Sequence, residues 1–174
     1  VNFRVINAFI PIFWTRELGT SPEQGSFALT IFFSIGIFMT YIGGLLGDKY
    51  GPIKIIRLSL LIWLPAMFLL TEVPTFSPVI MMPIAYMLLL MIGAAKALSY
   101  SPVIVLGQTY LAKSIGFASG ITLGVSQTIG GIIAPVVGNL ADTYTLPAAM
   151  MTLVPFLVVG LGASLILKDP KKLQ

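Results

Sequence analysis

Residues 79–112 read VIMMPIAYMLLLMIGAAKALSYSPVIVLGQTYLA, and Lys96 is the single charged residue among them. A helix crosses the hydrocarbon core of a bilayer with about 20 mostly apolar residues. This stretch is longer than that, so Pro83 and Pro102 are expected to bend or tilt the helix within the membrane. The stretch therefore predicts a transmembrane helix with one charge near its centre.

The rest of the chain follows the same pattern. Of its 174 residues, 9% are charged and 57% are apolar, whereas a soluble domain carries about 25% charged residues. Short polar connections separate six apolar segments. We predict an all-α membrane protein with six transmembrane helices at about residues 1–18, 22–47, 52–72, 79–112, 114–141 and 146–167.

Local signals refine these segments. Ser21 is predicted to cap the second helix, with Pro22 at its first position. Pro11 is expected to kink the first helix. Trp14 and Trp63 are expected to lie at the membrane interface or to face lipid.

The charges predict an orientation. Basic residues lie at alternate connections and at the C-terminus: Lys49, Lys54, Arg57, Lys113, Lys168, Lys171 and Lys172. The positive-inside rule therefore predicts that the 48–57 loop and the C-terminal tail lie in the cytoplasm, with the helices in the plasma (inner) membrane. Because the net charge of +4 is spread over segment ends, no nucleic-acid partner is expected.

Two residue types with versatile side-chain chemistry are missing. The chain has no cysteine and no histidine, which excludes disulfides, thiolate or imidazole metal ligands, and Cys/His or Ser/His nucleophile pairs. We expect no cofactor, no metal and no enzymatic activity. All the carboxylates lie at or near segment ends: Glu17, Glu23, Asp48, Glu72, Asp142 and Asp169.

A weak internal repeat connects the second and fifth segments. Residues 43–50 read GGLLGDKY and residues 137–144 read VGNLADTY. Three spans separate them, so the two copies lie on opposite sides of the membrane. This arrangement predicts an inverted three-plus-three repeat, a common transporter architecture.

The loop after the second segment resembles the loop motif of the major facilitator superfamily, G-x-L-a-D-r-x-G-r-k. Residues 44–54 read GLLGDKYGPIK, and Pro52 departs from the pattern. Small glycines there allow two helices to approach, and the acid is expected to face the positive end of a neighbouring helix. The resemblance implies a gating loop formed by Gly44, Asp48, Lys49, Gly51 and Lys54.

A second match lies in the fifth segment. Residues 130–138 read GGIIAPVVG and are similar to the family's antiporter motif, with Ala134 and Asn139 in place of two glycines. A gating kink at Pro135 and plain tight helix packing both remain open. The antiporter-like and packing residues are Gly116, Gly120, Gly124, Gly131, Pro135 and Gly138.

Nearly the whole chain looks like the C-terminal half of a fosmidomycin-resistance-type drug efflux protein, through FIPIFW at 9–14 and GQTYLAKSIGFASGITLG at 107–124. The resemblance implies spans seven to twelve of a twelve-span transporter. Its partners would be an N-terminal half, a lipid bilayer and a small-molecule substrate. Because Val1 begins inside an apolar stretch, we expect the chain to be a fragment of a longer protein.

Lys96 is the sharpest candidate for the substrate cavity. A lysine at the centre of a span costs about 2.5–3.5 kcal/mol on insertion scales, so it should face the bundle interior or water. It could pair with a carboxylate of the missing half, bind an anionic substrate, change protonation during transport, or snorkel to the interface. Tyr100 lies one turn further on the same face.

Other polar residues join this candidate cavity. The resemblance implies that the first and fourth spans line it, which brings Arg4 and Asn7 towards Lys96. The alternative for Arg4 is a position among the cytoplasmic lipid headgroups. Gln108 is better suited to interhelical hydrogen bonding than to the cavity. The resemblance to drug efflux proteins implies proton-coupled efflux of small drug-like compounds. The alternatives are a facilitator that imports a metabolite or sugar, a membrane-embedded enzyme and a non-transporting scaffold half.

Overall fold

The computed structural model describes residues 2–111 and 114–167, with side chains from Val5 onward. The side chain of Arg4, together with Lys113, Lys168, Lys171 and Lys172, therefore lies outside the described residues. The described chain is all-helical, which confirms the predicted fold class. Its helices are α1 (Asn2–Arg16), α2 (Pro22–Tyr50), α3 (Pro52–Glu72), a 3₁₀ turn (Val73–Thr75), α4 (Pro78–Tyr110), α5 (Ile115–Thr143), α6 (Leu146–Met151) and α7 (Val154–Ile166).

Five helical segments in the described ranges are long and apolar enough to cross a membrane. α1 is the sixth apolar helix and has 15 residues. The predicted segment boundaries agree with the observed helices to within a few residues. The five membrane-length segments are Pro22–Tyr50, Pro52–Thr75, Pro78–Tyr110, Ile115–Thr143 and Leu146–Ile166.

Local chemistry explains where α2 begins and ends. The Ser21 hydroxyl accepts a hydrogen bond from the Gln24 amide, and the Gln24 side chain accepts one from the Ser21 amide. This capping box satisfies two amides at the helix start and confirms the predicted cap. At the other end Gly51 takes φ 98°, a conformation that favours glycine, and Pro52 starts α3 at once.

The sixth predicted helix is broken into α6 and α7. Pro155 lacks an N–H, and its ring would clash with the carbonyl of Met151 in a continuous helix. The amides of Thr152 and Leu153 instead donate to carbonyls three residues back, over 3.2 and 3.0 Å. The break at 152–153 therefore has a proline cause that the prediction of one helix at 146–167 overlooked.

The buried core joins α1 to α3, α4 and α6. Trp14 is 0% exposed and packs on Tyr86 with ring centroids 5.6 Å apart, and Trp63 is only 7% exposed. The prediction that these tryptophans face lipid is therefore wrong. α1 and α3 pack into the middle of the bundle, so their large rings contact other helices instead of lipid.

One pair of helix contacts agrees with the predicted inverted repeat. In that repeat α1 corresponds to α4 and α2 to α5, so the α2–α4 contact corresponds to the α5–α1 contact, and both are present. The matched sequence positions also behave alike, since Gly43 and Gly47 of α2 and Val137 and Ala141 of α5 are all buried.

Polar contacts join helices at both ends of the bundle. At one end Arg16 of α1 forms an exposed ion pair with Asp142 of α5, 3.5 Å long. At the other end the Arg57 guanidinium of α3 donates to the Ser164 carbonyl at 3.0 and 2.6 Å, next to the C-terminus of α7. A cation at a helix C-terminus meets its unpaired carbonyls and its negative dipole end.

Candidate substrate cavity

Close packing of α2 against α4 forms one side of the site. A Cβ atom at Gly43 would overlap the Leu98 carbonyl oxygen and lie 2.9 Å from its carbon. A Cβ at Gly93 would likewise lie 2.9 Å from Ile35. Glycines on both helices thus allow their backbones to approach, as small residues do in membrane helix pairs.

α2 and α4, together with other helices, surround an open cavity of about 710 Å³. Residues of α2, α3, α4, α5 and α7 line it, and most of its wall is apolar. Ligand pockets typically measure about 300–1,000 Å³ and combine an apolar wall with a few polar groups. The polar side chains here are Thr40, Lys96, Ser99, Tyr100, Thr122, Ser126 and Gln127.

Lys96 supplies the cavity with its charge. Its Nζ lies 5.3 Å from the ring centroid of Phe32 and 6.0 Å from that of Phe33, both on α2. These distances fall within the range of a cation–π interaction, which is stronger where water is excluded. The α2 rings therefore hold the ammonium at the cavity wall.

The electrostatic character of the cavity follows from this one group. Among the described residues that line the cavity, Lys96 is the one Lys, Arg, Asp or Glu residue. In the same described part of the chain, no group of three or more His, Cys, Asp or Glu residues could hold a metal ion. The arrangement can bind a small molecule through hydrogen bonds, apolar contacts and one positive charge.

The structure brings together some of the predicted cavity residues. Lys96 and Tyr100 both line the cavity. Asn7 does not, and its buried Oδ1 has no hydrogen-bond partner among the described residues. Gln108 also lies outside the lining and donates to the Ser119 hydroxyl at 2.9 Å, a bond that joins α4 to α5. The Arg4 side chain lies outside the described residues.

The loop-motif residues lie at the α2–α3 junction. A Cβ at Gly44 would lie 3.3 Å from the Ser101 hydroxyl of α4, so this glycine also belongs to the α2–α4 contact. Asp48, Lys49 and Lys54 are exposed, and Lys49 lies 5.1 Å above the Tyr50 ring. A gating role for these residues stays a prediction.

The glycines of α5 are arranged differently. At Gly116, Gly120, Gly124 and Gly131 an added Cβ would meet nothing within 4 Å, whereas at Gly138 it would lie 3.7 Å from Phe9. The expected close contact of the first four is therefore not made with the described part of this chain. Pro135 lies inside α5 and is exposed, and its gating role is still a prediction.

Sequence reasoning missed several lining residues that share one pattern. The α2 wall comes from Phe33, Gly36, Ile37 and Thr40. These residues are three or four positions apart, so they occupy one helical face. The same spacing recurs at 96, 99, 100 and 103 in α4 and at 122, 123, 126 and 127 in α5. A search for faces that combine small, polar and aromatic residues would have found them.

A helical membrane bundle with a partly polar cavity between its spans is an arrangement that solute transporters use. Comparison with known proteins specifies the class. The sequence model of the Major Facilitator Superfamily matches residues 1–174. The chain belongs to this superfamily of membrane transporters.

Two curated relatives show how far the similarity extends. The chain is 32% identical over 151 residues to the uncharacterized MFS-type transporter YfnC of Bacillus subtilis (strain 168), covering 87% of this chain and 35% of the relative. It is 28% identical over 137 residues to the fosmidomycin resistance protein of Escherichia coli (strain K12), covering 79% of this chain and 32% of that protein. The chain thus spans about a third of the length of these relatives. No solved structure matches it significantly.

Proposed function

We propose that this chain is the C-terminal half of a twelve-span secondary transporter that exports small drug-like compounds in exchange for protons. In this proposal the chain rocks against an N-terminal half around a central cavity, so that the cavity opens alternately to each side of the membrane. The observation that carries the proposal is the cavity with Lys96 in its wall, inside helices of membrane length. The relative named for fosmidomycin resistance supports the direction of transport.

The orientation belongs to the same proposal. The N-terminus of α3 and the C-terminus of α7 lie at one end of the bundle, because Arg57 joins them. Lys49 and Lys54 lie at that end as well, at the α2–α3 junction. The positive-inside rule then favours a cytoplasmic position for this end, with the helices in the inner membrane.

The position of the acidic residues bears on proton coupling. The described carboxylates lie at helix ends or in connections: Glu17, Glu23, Asp48, Glu72 and Asp142. A proton that is exchanged for the substrate therefore needs a carboxylate of the N-terminal half, or Lys96, as its carrier.

Flux through the full-length protein tests the proposal. The protein is reconstituted into liposomes, and export of a fluorescent drug-like probe is followed with and without an imposed pH gradient. We expect flux that depends on the gradient and that falls at least tenfold in Lys96→Ala. Met87→Ala is the matched control, because Met87 is on the same helix, 63% exposed and outside the cavity lining.

Each other outcome identifies a rival function. Flux that is indifferent to the pH gradient would indicate a facilitator. Equal flux in Lys96→Ala and wild type would contradict a role of Lys96 in transport. Absence of flux for every probe, in a protein that is folded and inserted, would indicate a scaffold half.

A further inference from the structure

The charge in the cavity also indicates which solutes it selects. We propose that the cavity binds small organic anions with an apolar body, the negative group on the Lys96 ammonium and the body against the apolar wall. This inference rests on the proposed function, because it takes the cavity as the substrate site. It adds the chemical class of the substrate and the residue that recognises it.

The sign of the charge is the first step. Of the lining residues that the structure describes, Lys96 is the one Lys, Arg, Asp or Glu residue. A charge surrounded by apolar walls interacts with a ligand charge more strongly than it would in water. An anion is therefore attracted, whereas a cationic ligand meets a like charge and must lose its hydration without compensation.

The second step concerns the position of the Lys96 ammonium. The Phe32 and Phe33 rings lie 5.3 and 6.0 Å from Nζ, on the α2 side. Their faces stabilise the positive charge without neutralising it. An ammonium has three N–H donors, so Lys96 can direct a donor to a ligand anion while the rings hold it in position.

The surroundings of the ammonium suit the rest of such a ligand. Tyr100 lies one helical turn from Lys96 on α4, and its hydroxyl can donate to a second oxygen of the anionic group. Trp63, Ile37 and Val103 offer apolar area to the body of the ligand. The volume of about 710 Å³ admits a molecule larger than an inorganic ion.

Three probes of nearly equal size and different charge test the selectivity. They are 4-phenylbutyrate, its neutral amide 4-phenylbutanamide and the cation 4-phenylbutylamine. Binding to the full-length protein in detergent is followed by tryptophan fluorescence, because Trp63 lines the cavity. The Trp63→Phe variant identifies the part of the signal that comes from this ring.

We expect the anion to bind about ten- to a hundredfold more tightly than the amide, the range that a hydrogen bond to a charged group supplies. The amine should bind most weakly. Lys96→Gln should reduce the affinity for the anion to that for the amide, while Lys96→Arg should retain most of the preference. If Lys96→Gln does not fold, the affinities of the wild-type protein for the three probes test the selectivity by themselves.

Three results would overturn the inference: equal or tighter binding of the amide or amine, an anion preference that survives Lys96→Gln, or no saturable signal with the anion. Flux of the same probes in liposomes separates this inference from the proposed function. Anion-selective binding without flux of any probe would contradict transport alone. Equal flux of all three probes would contradict the selectivity and leave transport standing.

Discussion

Replacement of Gly43 by alanine tests the packing that forms the cavity. The new Cβ would overlap the Leu98 carbonyl oxygen and lie 2.9 Å from the Leu98 carbon and 3.0 Å from its Cα. Carbon atoms pack at about 3.5–4.0 Å, so α2 and α4 must separate by about half an ångström or more. The obstacle is backbone, which cannot rotate away as a side chain can.

The expected magnitude follows from this clash. Overpacking of a close contact costs about 1–3 kcal/mol. A glycine in a helix is otherwise about 0.5–1 kcal/mol less favourable than alanine. Gly162→Ala is the matched control, because Gly162 lies in α7 with nothing within 4 Å of an added Cβ. This propensity gain applies to both variants and cancels in the comparison, so the two should differ in free energy of unfolding by about 1–3 kcal/mol.

Thermal unfolding of the full-length protein in detergent measures this difference. We expect Gly43→Ala to lower Tm by several degrees and Gly162→Ala to leave it unchanged or raise it. The same separation of helices should weaken probe binding, since it moves Phe33 away from Lys96. A Gly43→Ala protein as stable as Gly162→Ala would refute the close approach of α2 and α4.

Two further variants test contacts between helices. Arg57→Ala removes the guanidinium that donates to the Ser164 carbonyl. Because the bond involves a charged group, the free energy of unfolding should fall by about 1.5–3 kcal/mol, measured by thermal or SDS unfolding. An unchanged Tm would mean that this contact does not stabilise the bundle. Gln108→Leu removes the hydrogen bond to Ser119. It should lower Tm slightly and leave the affinity for 4-phenylbutyrate unchanged. A loss of affinity with an unchanged Tm would place Gln108 in the substrate site.

Much of the fold could be predicted from the sequence, because bilayer thickness and helix-end chemistry are local constraints. The start of α2 at Pro22 was predictable from Ser21 and the proline alone. The break before α7 was also readable in principle, since Pro155 marks it. It was overlooked because the hydropathy of the segment is uniform across the break.

The cavity was less predictable, because it depends on which faces of separate helices meet. Lys96 was identified from the cost of a charge in a membrane, and Tyr100 from helical spacing. Nothing local indicates that Phe33 of α2 lies against Lys96, 63 positions later in the chain. The prediction that Trp14 and Trp63 face lipid failed for the same reason, since an indole in an apolar helix is equally compatible with lipid and with a contact to another helix.

The most direct test of alternating access uses the lack of cysteine in this chain. Ser99 lines the cavity, so Ser99→Cys, in a full-length background free of other cysteines, places one thiol there. Val159→Cys, exposed in an apolar part of α7 and outside the cavity lining, is the control. A membrane-impermeant maleimide is applied to right-side-out and to inside-out vesicles. The account predicts labelling of Ser99→Cys from both faces and none at the control position; labelling from one face alone under every condition would contradict it.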